Sequence, residues 1–233
     1  HVTLNAGQSP EEQARIHRYQ ALAKAAQAQA CTAVLLGQHA DDQAETVMLA
    51  LSRGAGLPGL AGMPVDFERH GMRFARPFLG LRGAKLRQLV QLQQLVYIDD
   101  PSNAHLHFTR NRIRHQLMPV WEAALGGPAP LVRVARHAAQ AQRLLDALAQ
   151  LDVAHTACPP KIKALQTLST DRQANVLRFW LREHHHTAPS EAQMQALLRQ
   201  VAACTTKGHR IHLKVGTGHV VRAQAVLTFV LSL

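Results

Sequence analysis

A short apolar run, Thr32-Ala-Val-Leu-Leu-Gly37, lies between two segments with helical patterns, and this arrangement strongly constrains the fold. The first segment has helix-start residues at 9–12 and continues to about Ala30. The second runs from 41 to 52 and ends at Gly54, which is typical of a helix C-terminus. A continuous apolar run between helices predicts a buried parallel strand. The order helix, strand, helix therefore predicts a doubly wound α/β domain, whose ligands bind beyond the carboxyl ends of the strands.

The rest of the chain divides into more helices and a terminal group of strands. A basic helix is predicted over 82–95, followed by a strand at Val96-Tyr97-Ile98 and a turn at 100–103. The pattern is helical from Thr109, and a long helix is predicted over 128–154. The inward-facing residues expected on the second and on this long helix are Val47, Met48, Leu51, Val132, Ala135, Leu144, Leu148 and Leu151.

The domain boundary is expected near Pro119 to Pro128, which gives domains 1–122 and 123–233. In the second domain, helices are predicted at about 169–185 and 189–203, before an alternating pattern from 210 to 233. The fold class is therefore an α/β parallel-sheet domain followed by a mainly helical α+β domain with a small sheet.

The charge of the chain is strongly positive and unevenly placed. Lys and Arg number 26 against 15 Asp and Glu, and residues 69–143 hold twelve of the basic residues with only three acids. Arginine binds phosphate through paired hydrogen bonds, so this stretch favours an RNA-binding face. A basic surface that is merely solvated is the alternative for any single arginine.

The three cysteines, Cys31, Cys158 and Cys204, are far apart, so neither a disulfide framework nor a zinc site is indicated. No apolar run reaches the length of a membrane span, and no signal region follows His1, so a cytoplasmic location is expected. The absence of an initiator methionine suggests that the chain is a piece of a longer one.

Four titratable residues follow the predicted strand closely: His39, Asp41, Asp42 and Glu45. Asp42 and Glu45 are three apart and share a helix face, so they could grip one target, bind Mg²⁺ or accept a proton. The alternative for Asp41 and Asp42 is that they cap the helix and favour its positive end.

A second group of residues lies between Asp100 and Arg114. Arg110 and Arg114 are four apart, so they lie on one helical face and could meet a phosphate or a developing negative charge. Ordinary binding to an RNA backbone and a solvated face stay open for this pair.

These motifs together resemble the tRNA(Ile)-lysidine synthase family of N-type ATP pyrophosphatases. The resemblance rests on Gly37-Gln-His-Ala-Asp-Asp-Gln-Ala-Glu-Thr46, Leu51-Ser-Arg-Gly-Ala-Gly56 and Leu57-Pro-Gly-Leu-Ala-Gly-Met63. Arg76-Pro77, Asp100-Pro-Ser-Asn103 and Arg110-Asn111 with Arg114 follow in the family's order. The similarity is close over about 10–120 and loose beyond, and it implies a Rossmann-like first domain of the adenine nucleotide alpha hydrolase type.

The resemblance implies a reaction and its partners. The family adenylates the wobble cytidine of isoleucine tRNA with a CAU anticodon, using ATP, and free L-lysine then attacks to give lysidine, AMP and pyrophosphate. ATP is thus expected as a substrate, with Mg²⁺ accompanying it.

The resemblance also implies roles for individual residues. The expected catalytic residues are Asp42, Glu45 and Arg110, and the expected ATP-binding residues are Arg15, Arg18, His39 and Asp41. The residues expected to bind tRNA are Arg53, Arg76, Asn111, Arg114, Arg133 and Arg136. The first domain, 1–122, is expected to be a partial catalytic domain, and the basic stretch and the second domain, 123–233, are expected to hold the tRNA.

The chain departs from the family pattern at two points. The family's Ser-Gly-Gly-x-Asp-Ser phosphate loop occurs nowhere between His1 and Leu233, so the chain alone is expected to bind ATP poorly and to be inactive. Gln38 stands where members commonly carry a second histidine, which weakens the case for an adjacent histidine pair.

Two other functions compete with this interpretation. A tRNA-thiolating relative would share the ATP chemistry, but such enzymes usually need paired cysteines, and those of this chain are scattered. A non-catalytic tRNA-binding module would fit the basic stretch and the absent loop, but it leaves the Asp42 and Glu45 arrangement unexplained.

Overall fold

The computed structural model of the chain describes residues 10–98, 100–206 and 208–232. The chain forms two compact units, one ending at Gln140 and the other beginning at Ala141. This division lies within a long helix, beyond the boundary expected from the sequence. The functional domains 1–122 and 123–233 stay a prediction, because compactness alone does not test them. Ser9, which contributed to the predicted helix start, lies outside the described residues.

The first unit is mostly helical around a small sheet. Its helices are α1 (Pro10–Ala28), α2 (Ala40–Ser52), α3 (Leu57–Leu60), α4 (Gly83–Leu92), α5 (Thr109–Arg112) and α6 (Met118–Leu125). A 3-10 turn covers Pro101–Ala104, and a π-helical turn, Ile113–Leu117, joins α5 to α6. Helix α7 (Ala129–Thr156) begins in this unit and continues into the second.

The sheet of the first unit contains one parallel and one antiparallel pair. Its strands are β1 (Val34–Leu35), β2 (Asp66–Arg69) and β3 (Met72–Ala75), in the order β1-β3-β2. β1 runs parallel to β3, with Val34 opposite Phe74. β2 and β3 form a hairpin whose turn residues, His70 and Gly71, both have positive φ, and the sequence analysis missed this hairpin. The α/β class is confirmed.

Two small cores hold the first unit together. Tyr19 and Ala23 of α1 pack on Met72 and Phe74 of β3, so the helix covers the sheet. A second core joins α2 to the π-helical turn, α6 and the start of α7 through Ala44, Val47, Met48, Ile113, Met118, Leu131 and Ala135. Burying a side chain such as Val47 stabilises by roughly 2 kcal/mol. This packing fixes α2, whose first turns carry the acidic residues singled out above.

Several details of the sequence prediction are wrong. Residues 96–98 form no strand; Val96 and Ile98 are exposed, and no described strand offers them backbone hydrogen bonds. Leu35 on β1 is 70% exposed, although the run was predicted to be buried. Leu51, Leu144 and Leu151 are also exposed, because helical spacing fixes which residues share a face but not what covers that face.

The second unit is the predicted α+β arrangement. Helices α8 (Ile162–Leu165), α9 (Thr170–His185) and α10 (Glu191–Ala203) precede β4 (His212–Val215), β5 (Gly218–Ala223) and β6 (Val226–Leu231). The strands form an antiparallel sheet in the order β4-β5-β6. Trp180 and Leu197 of the helices share one core with Val220 and Leu227 of the sheet. Among the described ranges, no helix is long and apolar enough to cross a membrane.

Candidate active site

The start of α2 lies directly beyond the carboxyl end of β1. His39 is the N-cap of α2, in extended conformation, and its backbone N–H donates to Asp42 Oδ2 at 3.0 Å. Ala40 N–H donates to the carbonyl of Leu81, which ties this end of α2 to the loop before α4. Asp42 thus caps the helix, as the alternative interpretation proposed, but only one of its oxygens is used in this way.

The other oxygen of Asp42 belongs to an ion-pair network that we term the carboxylate–arginine cluster, formed by Asp42, Glu45, Arg110 and Arg114. Glu45 accepts from Arg110 Nε at 2.9 Å and from Arg114 Nε at 2.6 Å. Asp42 Oδ1 lies 3.0 Å from Arg114 Nη2 and 3.5 Å from Arg110 Nη2. The two sequence motifs, from α2 and from α5 with its π-helical turn, therefore meet at one place.

Burial differs sharply within the cluster. The side chain of Glu45 is 2% exposed and that of Asp42 14%, whereas Arg110 and Arg114 are 34% and 31% exposed. Hydrogen bonding to Glu45 raises the pKa of Arg114, against the opposing effect of burial. Two carboxylates against two guanidinium groups give a neutral cluster in which Glu45 is the inner anchor and Asp42 the more accessible acid.

Asp41 points away from this cluster and toward α4. Its Oδ2 accepts from the backbone N–H of Gly83, the first residue of α4, at 2.7 Å, so it caps α4 rather than α2. Its Oδ1 lies 3.0 Å from Arg82 Nε, and Arg82 also pairs with Glu122 at 2.8 Å. A side chain at position 83 would meet this carboxylate at 2.9 Å, so glycine is required there. Asp41 thus has structural partners in α4, and the ATP-binding role that the resemblance implies for it stays a prediction.

His39 stands between the two aspartates. Its Nδ1 lies 3.5 Å from Asp41 Oδ2, and its Nε2 lies 3.5 Å from Asp42 Oδ2. Nδ1 is buried and makes no hydrogen bond to the described residues. A histidine beside two carboxylates at a strand end can exchange a proton or meet a polar substrate group.

Three of the residues expected to bind tRNA form hydrogen bonds or ion pairs with other residues of the protein. Arg76 is 5% exposed; its guanidinium donates to Gln38 Oε1 at 3.0 Å, the Pro64 carbonyl at 2.7 Å and Tyr19 Oη at 3.0 Å. Asn111 is buried and donates to the carbonyl of His105 at 2.9 Å. Arg114 belongs to the cluster. The resemblance does not show which of these side chains are bonded within the protein, and their roles at tRNA stay predictions.

The remaining basic residues singled out lie on the surface. Arg15 and Arg18 are exposed on α1, Arg53 follows α2, and Arg133 and Arg136 are exposed on α7. Within the described residues, none of the five has a hydrogen bond or ion pair to the carboxylate–arginine cluster. Their roles at ATP and tRNA stay predictions.

Sequence reasoning missed Gln43, which is buried beside the cluster. Its side chain donates to the Met63 carbonyl at 3.1 Å and accepts from Met63 N–H at 2.8 Å, which clamps the end of the glycine-rich loop to α2. Its partner lies twenty residues away, so no local pattern could have revealed it. Gly62 fits against this amide because a Cβ there would lie 2.7 Å from Gln43 Oε1.

Replacing Gln43 with alanine is expected to destabilise the first unit by about 2 kcal/mol, because two partly buried backbone groups lose their partner. Hydrogen exchange of the α2 amides measures this free energy. Gln27→Ala, which removes one exposed hydrogen bond to His70, is the matched control and should change it by less than about 0.5 kcal/mol. Equal effects of the two substitutions would contradict the clamp.

The residues of the site do not fit a resident metal ion. Among the described residues, no group of three histidine, cysteine, aspartate or glutamate side chains is arranged to hold one. The oxygens of Asp42 and Glu45 face guanidinium groups, which compete with any cation.

Comparison with known families places this geometry in a class. The model of the PP-loop domain matches residues 2–121, and the model of the TilS substrate binding domain matches residues 161–228. The chain thus combines a PP-loop domain, which contains the carboxylate–arginine cluster, with a substrate-binding domain.

Individual relatives narrow the class to one family. The chain is 55% identical to the tRNA(Ile)-lysidine synthase of Polaromonas naphthalenivorans over 96% of its length and 68% of that protein. It is 39% identical to that of Pseudomonas fluorescens and 38% to that of Burkholderia pseudomallei, spanning 43% of each. The chain belongs to the tRNA(Ile)-lysidine synthase family, a family of ligases, and the resemblance seen in the sequence is confirmed.

Proposed function

We propose that this chain carries the ligation site for lysidine synthesis, in which lysine is joined to C2 of the wobble cytidine of isoleucine tRNA with a CAU anticodon. The single observation that carries the proposal is the carboxylate–arginine cluster at the carboxyl end of a parallel strand. The names of the relatives support the same reaction. ATP adenylates the C2 oxygen and pyrophosphate leaves; the lysine ε-amine then bonds to C2, and AMP departs with that oxygen.

The geometry favours different roles for the two acids. Asp42 is more exposed than Glu45, and its contact with Arg110 is long, so it is the group that can meet the lysine ammonium and take its proton. Glu45 holds both guanidinium groups and acts as a positioning residue. Asp42 is therefore the proposed base, a choice between the two carboxylates that the sequence left open.

Arg110 is placed to stabilise charge on the activated base. Its Nε and Nη2 donate to the cluster, while its Nη1 has no acceptor among the described residues. A guanidinium group fixed on one edge and free on the other can receive a phosphate oxygen of the adenylated cytidine. The exposed Arg15 and Arg18, with His39, are proposed to face ATP, and Mg²⁺ would enter with the nucleotide. The cytoplasmic location stays a prediction from the sequence.

Asp42→Asn is expected to lower lysidine formation about a hundredfold, because the amide cannot accept the lysine proton. The measurement is AMP release and lysine incorporation by the full-length protein, with ATP, lysine and unmodified isoleucine tRNA. Asp66→Asn is the control: Asp66 is an exposed residue of β2 that pairs with Arg73 of β3, and its substitution should leave the rate unchanged. If the unsubstituted protein bound tRNA tightly but did not turn over ATP, the proposed enzymatic function would be wrong and a non-catalytic tRNA-binding module would be favoured.

A further inference from the structure

The second unit contains a cavity of about 490 Å³ between the loop before β4 and the neighbouring ends of β4 and β5, near the pair His212 and Val221. Its polar lining comes from His209, Arg210, His212, Arg222 and Gln224. From Ala192 to Leu233 the chain has five Lys and Arg and no Asp or Glu. The cavity therefore lies in a segment that carries positive charge without any acidic residue of its own.

Arg222 gives the cavity a fixed positive charge. Its guanidinium donates to three backbone carbonyls, those of Gln224 at 2.6 Å, Thr206 at 2.7 Å and His209 at 2.8 Å, and lies 3.1 Å from the sulfur of Cys204. No carboxylate of the described residues forms an ion pair with it, and its Nη2 has no acceptor among them. A half-buried cation held only by neutral groups lacks a counter-ion, and an anion in the cavity would supply one.

Two further donors face the same cavity. His212 is exposed, and its ring stacks on that of His219 with 4.6 Å between the ring centroids. The backbone N–H of His212 donates to Gln200 Oε1, which holds the start of β4 in position. The His212 ring nitrogens have no hydrogen-bond partner among the described residues. Arg210 is exposed and likewise forms no ion pair with them. One imidazole and two guanidinium groups therefore line the same cavity without a carboxylate partner among the described residues, and donors of this kind suit the oxygens of a phosphate group.

We propose that this cavity binds a backbone phosphate of the tRNA, with Arg210, His212 and Arg222 as its donors. The proposal rests on the proposed function in that the RNA is the tRNA substrate, and the cavity lies within the residues matched by the substrate binding domain model. Within the domain expected to hold the tRNA, these three residues lie outside the basic stretch 69–143 and were not among the residues expected to bind it. A phosphodiester is chosen over free phosphate because the cavity opens to the surface through exposed side chains, where a polyanion can reach it.

The test is tRNA affinity as a function of salt, measured by fluorescence anisotropy on the full-length protein without ATP or lysine. Arg210→Gln and His212→Gln are each expected to weaken binding about tenfold at low salt. Arg210→Gln should also reduce the slope of log affinity against log salt by about one. Both side chains are exposed, so the substitutions leave the core intact. Arg178→Gln, at an exposed arginine already paired with Glu191 in the same unit, should change neither quantity.

Two further measurements separate the possible outcomes. At saturating tRNA the kcat of the Arg210 and His212 variants should equal that of the unsubstituted protein while KM for tRNA rises, in contrast to Asp42→Asn. Inorganic phosphate at constant ionic strength should displace tRNA from the unsubstituted protein more readily than from Arg210→Gln. Unchanged affinity and slope in both variants would overturn the proposal, as would phosphate binding at this cavity that leaves tRNA affinity unaffected. Because binding is measured without turnover, an inactive enzyme would contradict the proposed function alone.

Discussion

Replacing Glu45 with glutamine is expected to destabilise the first unit by about 4 kcal/mol and to abolish lysidine formation. Glu45 is 2% exposed and accepts from both Arg110 and Arg114. In the variant, an amide NH₂ replaces one acceptor oxygen and faces guanidinium donors, while two cations are left with one carboxylate. Removing one partner of a buried ion pair costs about 3–5 kcal/mol, since the remaining charge loses its compensation.

Hydrogen exchange of the α2 amides measures the loss in the first unit alone, so unfolding of the second unit does not enter the result. Glu122→Gln is the matched control: the same substitution in the same unit removes one exposed ion pair, with Arg82, and should cost less than about 1 kcal/mol. A similarly small effect at Glu45 would show that the cluster is held by packing rather than by charge. Activity is compared at a temperature where both variants are folded.

The two halves of the cluster could be found in the sequence, but their meeting could not. Asp42 and Glu45 share a helix face by their spacing of three, and Arg110 and Arg114 by their spacing of four. The structure pairs these two motifs across 65 residues or more, through the packing of α2 on the π-helical turn. Spacing indicates which side chains lie together on one helix, whereas contact between helices depends on the tertiary core.

The basic stretch, residues 69–143, shows a second limit of sequence prediction: the sequence does not reveal which of its arginines are paired with acids. Composition favoured an RNA surface for all of its arginines, yet Arg73, Arg82, Arg110 and Arg114 pair with carboxylates of the protein. Net charge counts residues without regard to their partners, so it overstates the positive field of this region. The acid-free segment from Ala192 onward has fewer cations, but none of its described ones is neutralised by a described carboxylate.

Arg76 shows most clearly what a sequence cannot reveal about a basic residue. It follows β3 directly and lies 4.5 Å above the ring of Phe67, with its three donor nitrogens bonded to Gln38, Pro64 and Tyr19. Gln38, the departure from the family's second histidine, is thus an acceptor for a buried guanidinium. These contacts join α1, the segment between β1 and α2, and the loop before β2. Arg76 therefore stabilises the part of the first unit from which α2 begins.

Arg76→Met is therefore expected to destabilise the first unit by about 3 kcal/mol, because buried acceptors lose their donor and the guanidinium–aromatic contact disappears. Arg73→Met provides the control from β3, the strand that Arg76 follows: Arg73 is 66% exposed and pairs with Asp66 alone among the described residues, so its loss should cost less than about 1 kcal/mol. Hydrogen exchange of the α1 and α2 amides measures the loss of stability caused by each of the two substitutions. If the tRNA affinity of Arg76→Met fell while amide protection stayed unchanged, Arg76 would be a surface contact for RNA after all, and its burial would not describe the working protein.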